Sequence, residues 1–157
     1  MPKLKTNKIA TIALILWLMT IAIFAWFFIR GNTTPGTDSR IAVVLKTSER
    51  EFILAEMRGL LCAIQGIMDA ANQGDLQRII KISKSVDMGS VADVNPALMA
   101  KLPIEFKMLG MIVHHDMDQI AEAAEKGTQA PEIQKMLSIT LSKCVACHTA
   151  WQLKSDN

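Results

Sequence analysis

The chain has 157 residues, half of them hydrophobic, and a formal net charge of +2 at pH 7. That length supports one modest domain plus extra segments, and a mean hydropathy of +0.25 indicates that part of the chain leaves water. The positive charge belongs to the N-terminal part, since the sequence from Ser48 onward carries 11 basic and 14 acidic residues. A nucleic-acid-binding surface is therefore not expected on the domain that begins there.

An uninterrupted apolar stretch lies near the N-terminus, at residues 9–29. This is about the length that a helix needs to cross a bilayer, and the preceding Lys3, Lys5 and Lys8 hold that end in the cytoplasm. A cleaved signal peptide is the alternative, but the run is long for one, and bulky aromatic residues at 26–28 occupy the place of a small-residue cleavage site. The sequence therefore predicts a single-pass anchor in a bacterial inner membrane, with the remainder in the periplasm.

The anchor divides the chain into four predicted parts. Residues 1–8 form the cytoplasmic N-terminus, and residues 30–47 form a linker to a domain at 48–157. Turn formers and small polar residues at 31–40 are typical of a tether. The short apolar run at 41–45 has two possible placements, against the domain or near the lipid headgroups.

Two helices are predicted in the first half of the domain. The first runs from about residue 48 to 72, with Ser48 and Glu51 at the spacing of a capping box. Asp75 is positioned to cap the second helix, and Gly89 is the expected stop. The buried stripe of the first helix consists of Ile53, Met57, Leu60, Ile64 and Ile67.

Two further helices are predicted in the second half. Asn95 and Pro96 start the third helix, Pro103 breaks or restarts it, and Gly127 ends it; Pro131 opens the fourth. Four helices of similar length with short connections favour an all-α, antiparallel up-down-up-down four-helix bundle. One face of the fourth helix is predicted to contain Ile133, Leu137, Thr140, Cys144, Cys147, His148 and Trp151.

The most specific motif of the chain is Cys144-Val145-Ala146-Cys147-His148. Two thiols three residues apart can add to the two vinyl groups of a haem, and the histidine that follows presents its imidazole to the iron. A structural zinc site needs four ligands, and the sequence offers no second ligand pair at zinc-finger spacing. A thioredoxin-like pair should follow a strand, and no alternating pattern precedes this one. The motif therefore predicts one covalently bound haem c.

A helical bundle whose last helix ends in this motif resembles the cytochrome c-prime family and its low-spin haem relatives. Arg50, Leu54 and Met57 in the first helix are also similar to the arginine, distal apolar residue and methionine of that family. The resemblance implies a haem between the helices, attached through Cys144 and Cys147, with the histidine of the motif as proximal ligand.

The residue opposite His148 should come from the early turns of the first helix, because that end lies beside the end of the fourth helix in such a bundle. Met57 satisfies this condition, whereas Met68 is eleven residues further on, roughly 16 Å along the axis. Two alternatives stay open. Met57 can be a packing residue with Leu54 facing an open sixth site, or a histidine such as His114 can be the ligand.

The remaining candidates have ordinary interpretations. His114 is expected to be partly buried and hydrogen-bonded near the haem edge, and His115 to be solvated. Cys62 is expected to be a small buried hydrophobic residue rather than the half of an intermolecular disulfide. Arg50 and Arg58 are candidates for pairing with the haem propionates, although arginines on an exposed helix face usually only keep that face hydrated.

Two functions follow from the two kinds of sixth site. With Met57 and His148 both bound, the domain is an electron carrier that exchanges electrons with membrane or periplasmic redox proteins. With the site open behind Leu54, it binds nitric oxide or carbon monoxide. An enzyme is not expected, because peroxidase chemistry needs a polar distal acid-base group that the early turns do not offer. The resemblance also implies a possible homodimer.

Overall fold

In the computed structural model of the protein, residues 8–156 are described, and they are mostly helical. The helices are α1 (Lys8–Arg30), α2 (Thr47–Gln73), α3 (Leu76–Lys84), α4 (Pro96–Lys101), α5 (Ile104–Glu125) and α6 (Ala130–Ala150). A 3-10 turn covers Met88–Val91, and the strands are β1 (Thr33–Pro35), β2 (Ile41–Leu45) and β3 (Trp151–Ser155).

Helix α1 contains the predicted anchor. It is long and apolar enough to cross a membrane, and its side chains are exposed along its length. The guanidinium of Arg30 lies 5.6 Å from the centre of the Trp26 ring. An aromatic and a cationic side chain thus contact each other at the C-terminal end of the helix, where such residues are typical of membrane anchors. Apart from Lys8, the predicted cytoplasmic N-terminus at 1–8 lies outside the described residues.

A small sheet in the order β1-β2-β3 was not predicted by the all-α interpretation. Strands β1 and β2 pair antiparallel, and β2 pairs parallel with β3. Their lengths of three to five residues are too short for a clear alternating pattern. Ala42, Val43 and Leu45 are buried, so the apolar run at 41–45 covers the domain.

The segment at 30–47, expected to be a tether, connects α1 closely to the domain. Asn32 N donates to Lys101 O at 2.7 Å, and Val44 N donates to Asn32 O at 2.8 Å. Gly31 adopts φ +64, and a Cβ there would lie 2.5 Å from Pro103 N. Only glycine fits such a backbone conformation at this distance. Helix α1 therefore passes into the domain without a free linker.

The predicted capping box of Ser48 and Glu51 at the start of α2 is wrong. The carboxylate of Glu49 instead accepts from Lys46 N at 2.9 Å, and Lys101 Nζ contacts the same carboxylate at 2.6 Å. Glu51 pairs with the neighbouring Arg50. The prediction failed because a second acidic residue, two positions before Glu51, lies in the first turn and takes the capping role.

Two of the predicted caps are confirmed. Asp75 accepts from Arg78 N at 2.9 Å at the start of α3, and Asn95 accepts from Ala97 N at 2.9 Å at the start of α4. Helix α3 ends at Lys84, before the expected stop at Gly89, which lies in the 3-10 turn. Pro103 separates α4 from α5, because it cannot donate to the helix before it.

The helices of the domain enclose one core cluster, and the sheet covers a second. Helix α2 packs against α3 and α6, and α5 packs against the same two helices. The first cluster includes Ile67, Ile79, Met117, Ile120, Ile133 and Leu137, all fully buried. The second cluster contains Val43, Leu45, Ile53, Leu98, Leu102, Phe106 and Trp151.

Candidate functional site

The cysteine-histidine motif occupies the last two turns of α6. The helix includes Pro131 in its first turn, as predicted, and ends at Ala150. Trp151 was predicted to continue the helical face, which is wrong: it is the first residue of β3 and pairs with Ile41 of β2. Its ring is buried and meets Phe106 edge to face, with the ring centres 6.2 Å apart. The helix therefore ends where the indole enters the second core cluster.

A groove lies between the end of α6, the early turns of α2 and strand β3. Its volume is about 170 Å³, and it opens to solvent. Five of the six residues predicted to bind a cofactor line it, and Cys144 lies outside the lining. The lining residues are Arg40, Arg50, Leu54, Met57, Phe106, Cys147, His148, Trp151, Gln152 and Leu153.

Helix α2 supplies one wall of the groove through a single face. Arg50, Leu54 and Met57 follow one another at spacings of four and three, which places them on one side of a helix. Met57 is partly buried against the second core cluster, as is Cys147 on the opposite wall. Met68 does not line the groove and is 40% exposed. The early turns of α2 thus face the end of α6, and the later turns do not.

The two motif cysteines face different parts of the core. Cys144 packs against the first core cluster and Cys147 against the second, and neither forms a disulfide. Burial raises the pKa of both thiols; the carboxylate of Asp116 adds to this for Cys144, and the neighbouring Cys144 adds to it for Cys147. Reactive redox cysteines have lowered thiol pKa values. The pair therefore lacks the electrostatics of a thioredoxin-like centre.

A buried ionic cluster fixes the helical turn before the motif, and the sequence analysis missed it. Lys143 Nζ contacts the Asp116 carboxylate at 2.7 and 2.5 Å, and Thr140 Oγ1 donates to it at 2.9 Å. Asp116 is 8% exposed, among the apolar residues of α5. The sequence offers one indication of this cluster, since the charged Asp116 stands next to Met117, a residue of the predicted core stripe.

A second missed contact ties the β1–β2 loop to the motif. Arg40 forms a two-atom ion pair with Asp38, through Nε at 3.0 Å and Nη2 at 2.8 Å, and Nη1 donates to the carbonyl of His148 at 3.4 Å. The hydrogen bonds from Arg40 lower the pKa of the Asp38 carboxyl. Arg40 therefore reaches the groove with its charge partly neutralised by Asp38. Arg50 is likewise paired, with Glu51.

The other candidate residues lie away from the groove. His114 is buried and its Nδ1 lies 2.9 Å from Val86 O, as expected for a hydrogen-bonded core histidine, but it lines a different cavity. His115 is exposed, as predicted. Cys62 was predicted to be buried, which is wrong, because it lies on the solvent-facing side of α2. Arg58 is exposed and does not line the groove.

Comparisons with protein-family models, with curated proteins and with solved structures give no match to this chain. Interpretation of the site therefore depends on its own residues. Within residues 8–156, no group of three or more histidine, cysteine, aspartate or glutamate side chains comes together. Among the side chains that line the groove, His148, Cys147 and Met57 offer an imidazole, a thiol and a thioether, and Cys144 lies one helical turn before Cys147.

These groups fit a covalently attached haem by their chemistry. The set contains two thiols, one imidazole and one thioether, together with an apolar wall that includes Leu54 and Phe106. The groove volume of about 170 Å³ is smaller than most cofactor pockets, but the groove is open on its solvent side. A bound group is therefore not confined to the enclosed volume.

Proposed function

We propose that this chain is a membrane-anchored c-type cytochrome that carries single electrons. Its domain is an antiparallel up-down-up-down four-helix bundle built from α2, α3, α5 and α6, with one haem attached to Cys144 and Cys147. The contacts of α2 and α5 with both other helices support this arrangement. Haem supplies a one-electron couple whose potential is set by its axial ligands and surroundings.

The observation that carries the proposal is the composition of the groove. His148 and Met57 line the same cavity although they are separated by 91 positions, and Cys147 stands beside them. A histidine and a thioether on facing walls are the ligand pair of low-spin electron-transfer haems. The attachment motif alone does not require a methionine there, so the groove provides support independent of the motif.

The chain's own residues have distinct roles in this proposal. Cys144 and Cys147 would hold the cofactor covalently, and His148 and Met57 would supply a nitrogen and a sulfur to its iron. Arg50 and Arg40 both line the groove, and although each is paired with a carboxylate, their remaining guanidinium N–H groups can donate to the propionate groups. Asp116 and Lys143 hold the turn of α6 that leads into the cysteines against α5.

The anchor determines where this function takes place. Helix α1 spans the inner membrane with residues 1–8 in the cytoplasm, and the domain lies in the periplasm, where c-type cytochromes mature. The exposed apolar surface and length of α1 support this topology. Redox proteins of the membrane or the periplasm are the electron donors and acceptors, and a homodimer is compatible with the proposal.

One alternative has a specific observation in its favour. Leu54 lines the groove one turn before Met57 and is partly buried. A leucine over the iron leaves the sixth position open behind hydrocarbon, which selects small neutral molecules such as nitric oxide or carbon monoxide. In that case Met57 is a packing residue, and the chain is a gas-binding module.

Absorption spectra of the purified full-length protein test the proposal. We expect a haem c spectrum with a low-spin ferric form, a weak near-infrared band from the sulfur-iron bond, and slow or no reaction of the ferrous form with carbon monoxide. A high-spin spectrum with rapid carbon monoxide binding favours the alternative. Absence of haem from protein matured with an intact cytochrome c assembly system contradicts both.

A further inference from the structure

A larger cavity lies where α1 enters the domain. Its volume is about 710 Å³, and its wall is mostly apolar. Helix α1 provides Trp26, Ile29 and Arg30, the β1–β2 loop provides Asp38 and Arg40, and Trp151 closes the inner side. This volume is in the range of sites that hold small organic ligands.

The position of this interface cavity identifies the route by which a ligand enters. Trp26 and Ile29 belong to the last turns of the helix that is apolar enough to span a membrane. The close approach of Gly31 to the backbone of Pro103 fixes that helix end against the domain. With α1 spanning the membrane, as proposed above, this cavity lies near the edge of the bilayer, where a ligand can enter from the lipid.

The charge of the cavity favours a neutral ligand head. Its charged lining residues are Arg30, Arg40, Asp38 and Glu105, two of each sign. Arg40 and Asp38 already neutralise each other through the two-atom ion pair. An anionic phosphate would find no excess of positive charge there, whereas the donors and acceptors of the pair can hydrogen-bond to carbonyl or hydroxyl groups.

The aromatic residues of the wall favour a flat ring. Two indoles, Trp26 and Trp151, contribute to it, and aromatic faces pack well against planar groups. Trp151 and Arg40 also line the groove that contains His148, so the cavity and the groove share a wall. We propose that the interface cavity binds the head of a membrane-soluble quinone or quinol, with its apolar tail in the bilayer.

This inference goes beyond the electron-carrier proposal, because binding requires only the protein. The test uses the full-length protein in phosphatidylcholine nanodiscs and an azido-benzoquinone with a ten-carbon tail as photolabel. We expect the label in residues 33–41 and 103–105 by mass spectrometry, and we expect an excess of the unmodified decyl-quinone to remove it. Haem content is measured separately by absorption, so failure of one proposal is distinguishable from failure of the other.

Two tryptophans of α1 provide a matched pair of variants. Trp26 lines the cavity and Trp17 does not, although their exposures are 61% and 60%. We expect Trp26→Ala to reduce labelling about tenfold, as for loss of an aromatic anchor, and Trp17→Ala to leave it unchanged. Label distributed along α1, or equal loss in the two variants, overturns the proposal. Displacement of the label by phosphatidylglycerol alone also overturns it, in favour of a lipid headgroup site.

Discussion

Lys143, the residue immediately before Cys144, is bound to Asp116 of α5 through both carboxylate oxygens. Only about a quarter of the lysine side chain and an eighth of the aspartate side chain are exposed, so the pair is largely shielded from solvent. Thr140, one turn earlier on α6, donates to the same carboxylate. The turn of α6 that leads into the motif is thereby held on α5 by three polar groups.

Removing the carboxylate should destabilise the domain. Asp116→Ala leaves Lys143 Nζ without its partner and the Thr140 hydroxyl with only the carbonyl of Met136, and we expect a loss of about 2 kcal/mol in the free energy of unfolding. Chemical denaturation followed by circular dichroism measures it. Glu122→Ala, which breaks an exposed pair with Lys126 on the same helix, should have a much smaller effect on the free energy of unfolding. Equal effects of the two variants would contradict a structural role for the buried pair.

Covalent attachment should depend on two of the three cysteines. We expect Cys144→Ala and Cys147→Ala each to lose haem that resists acid-acetone extraction and denaturing electrophoresis. Cys62→Ala should retain it, because that thiol lies on the exposed side of α2. Haem staining of the gels checks all three variants. Extraction of free haem from the wild-type protein would refute the attachment site itself.

Met57 is the residue that decides between the two functions. If it binds the iron, Met57→Ala should convert the low-spin spectrum to high-spin, admit carbon monoxide and lower the reduction potential, because a thioether favours ferrous iron. Met68→Ala is the control on the same helix, outside the groove, and should leave the spectrum unchanged. A wild-type protein that is already high-spin and insensitive to Met57→Ala would contradict ligation by Met57 and favour the gas-binding alternative, with Leu54 as the next residue to test.

Acid should weaken the start of α2 through Glu49. Hydrogen bonds from Lys101 and from Lys46 N hold the pKa of this carboxyl below its ordinary value of 4.5. A lowered folded pKa contributes stability above pH 4.5, and that contribution is lost as the pH falls below 4.5 through the folded value. We expect Glu49→Gln to flatten the decline of the thermal midpoint in this range. Equal flattening by Glu51→Gln, which leaves the contacts of Glu49 in place, would contradict the role of Glu49.

The topology is testable with the intact chain. A reporter that is active only in the periplasm should function when fused after Asn157, and the protein should stay in the membrane fraction after a high-salt wash. Recovery of a shortened soluble form would instead show that residues 9–29 are a signal peptide. Replacing Lys3, Lys5 and Lys8 by glutamine should lower the reporter signal, because the charge bias that orients the anchor is lost.

The helices of this protein could be predicted from the sequence because their signals are local. Asp75 and Asn95 cap helices within three residues of themselves, and the apolar spacing of α2 reports one buried face. The groove residues Arg50, Leu54 and Met57 were predicted from a different source, namely the resemblance to the cytochrome c-prime family and the expected position of the first helix beside the end of the last.

The contacts that strand β3 and the β1–β2 loop make with distant segments could not be predicted. Trp151 follows a helix without a break in apolar spacing, and only its pairing with Ile41, 110 positions earlier, makes it part of a strand. The bond from Arg40 to the carbonyl of His148 spans 108 positions and has no local signature. The burial of Cys62 was wrongly predicted for a local reason. A small sulfur residue beside the buried stripe of a helix can face either the core or the solvent.

The parallel pairing of β2 with β3 has a consequence for the order in which the protein folds. Helical contacts form between near neighbours, whereas this pairing closes a loop of 110 positions and bears the entropic cost of doing so. We therefore expect Trp151 and Leu153 to dock late, after the helices have formed. Until then the groove lacks one wall, and the side chain of Cys147 beside it remains open to reagents in solution.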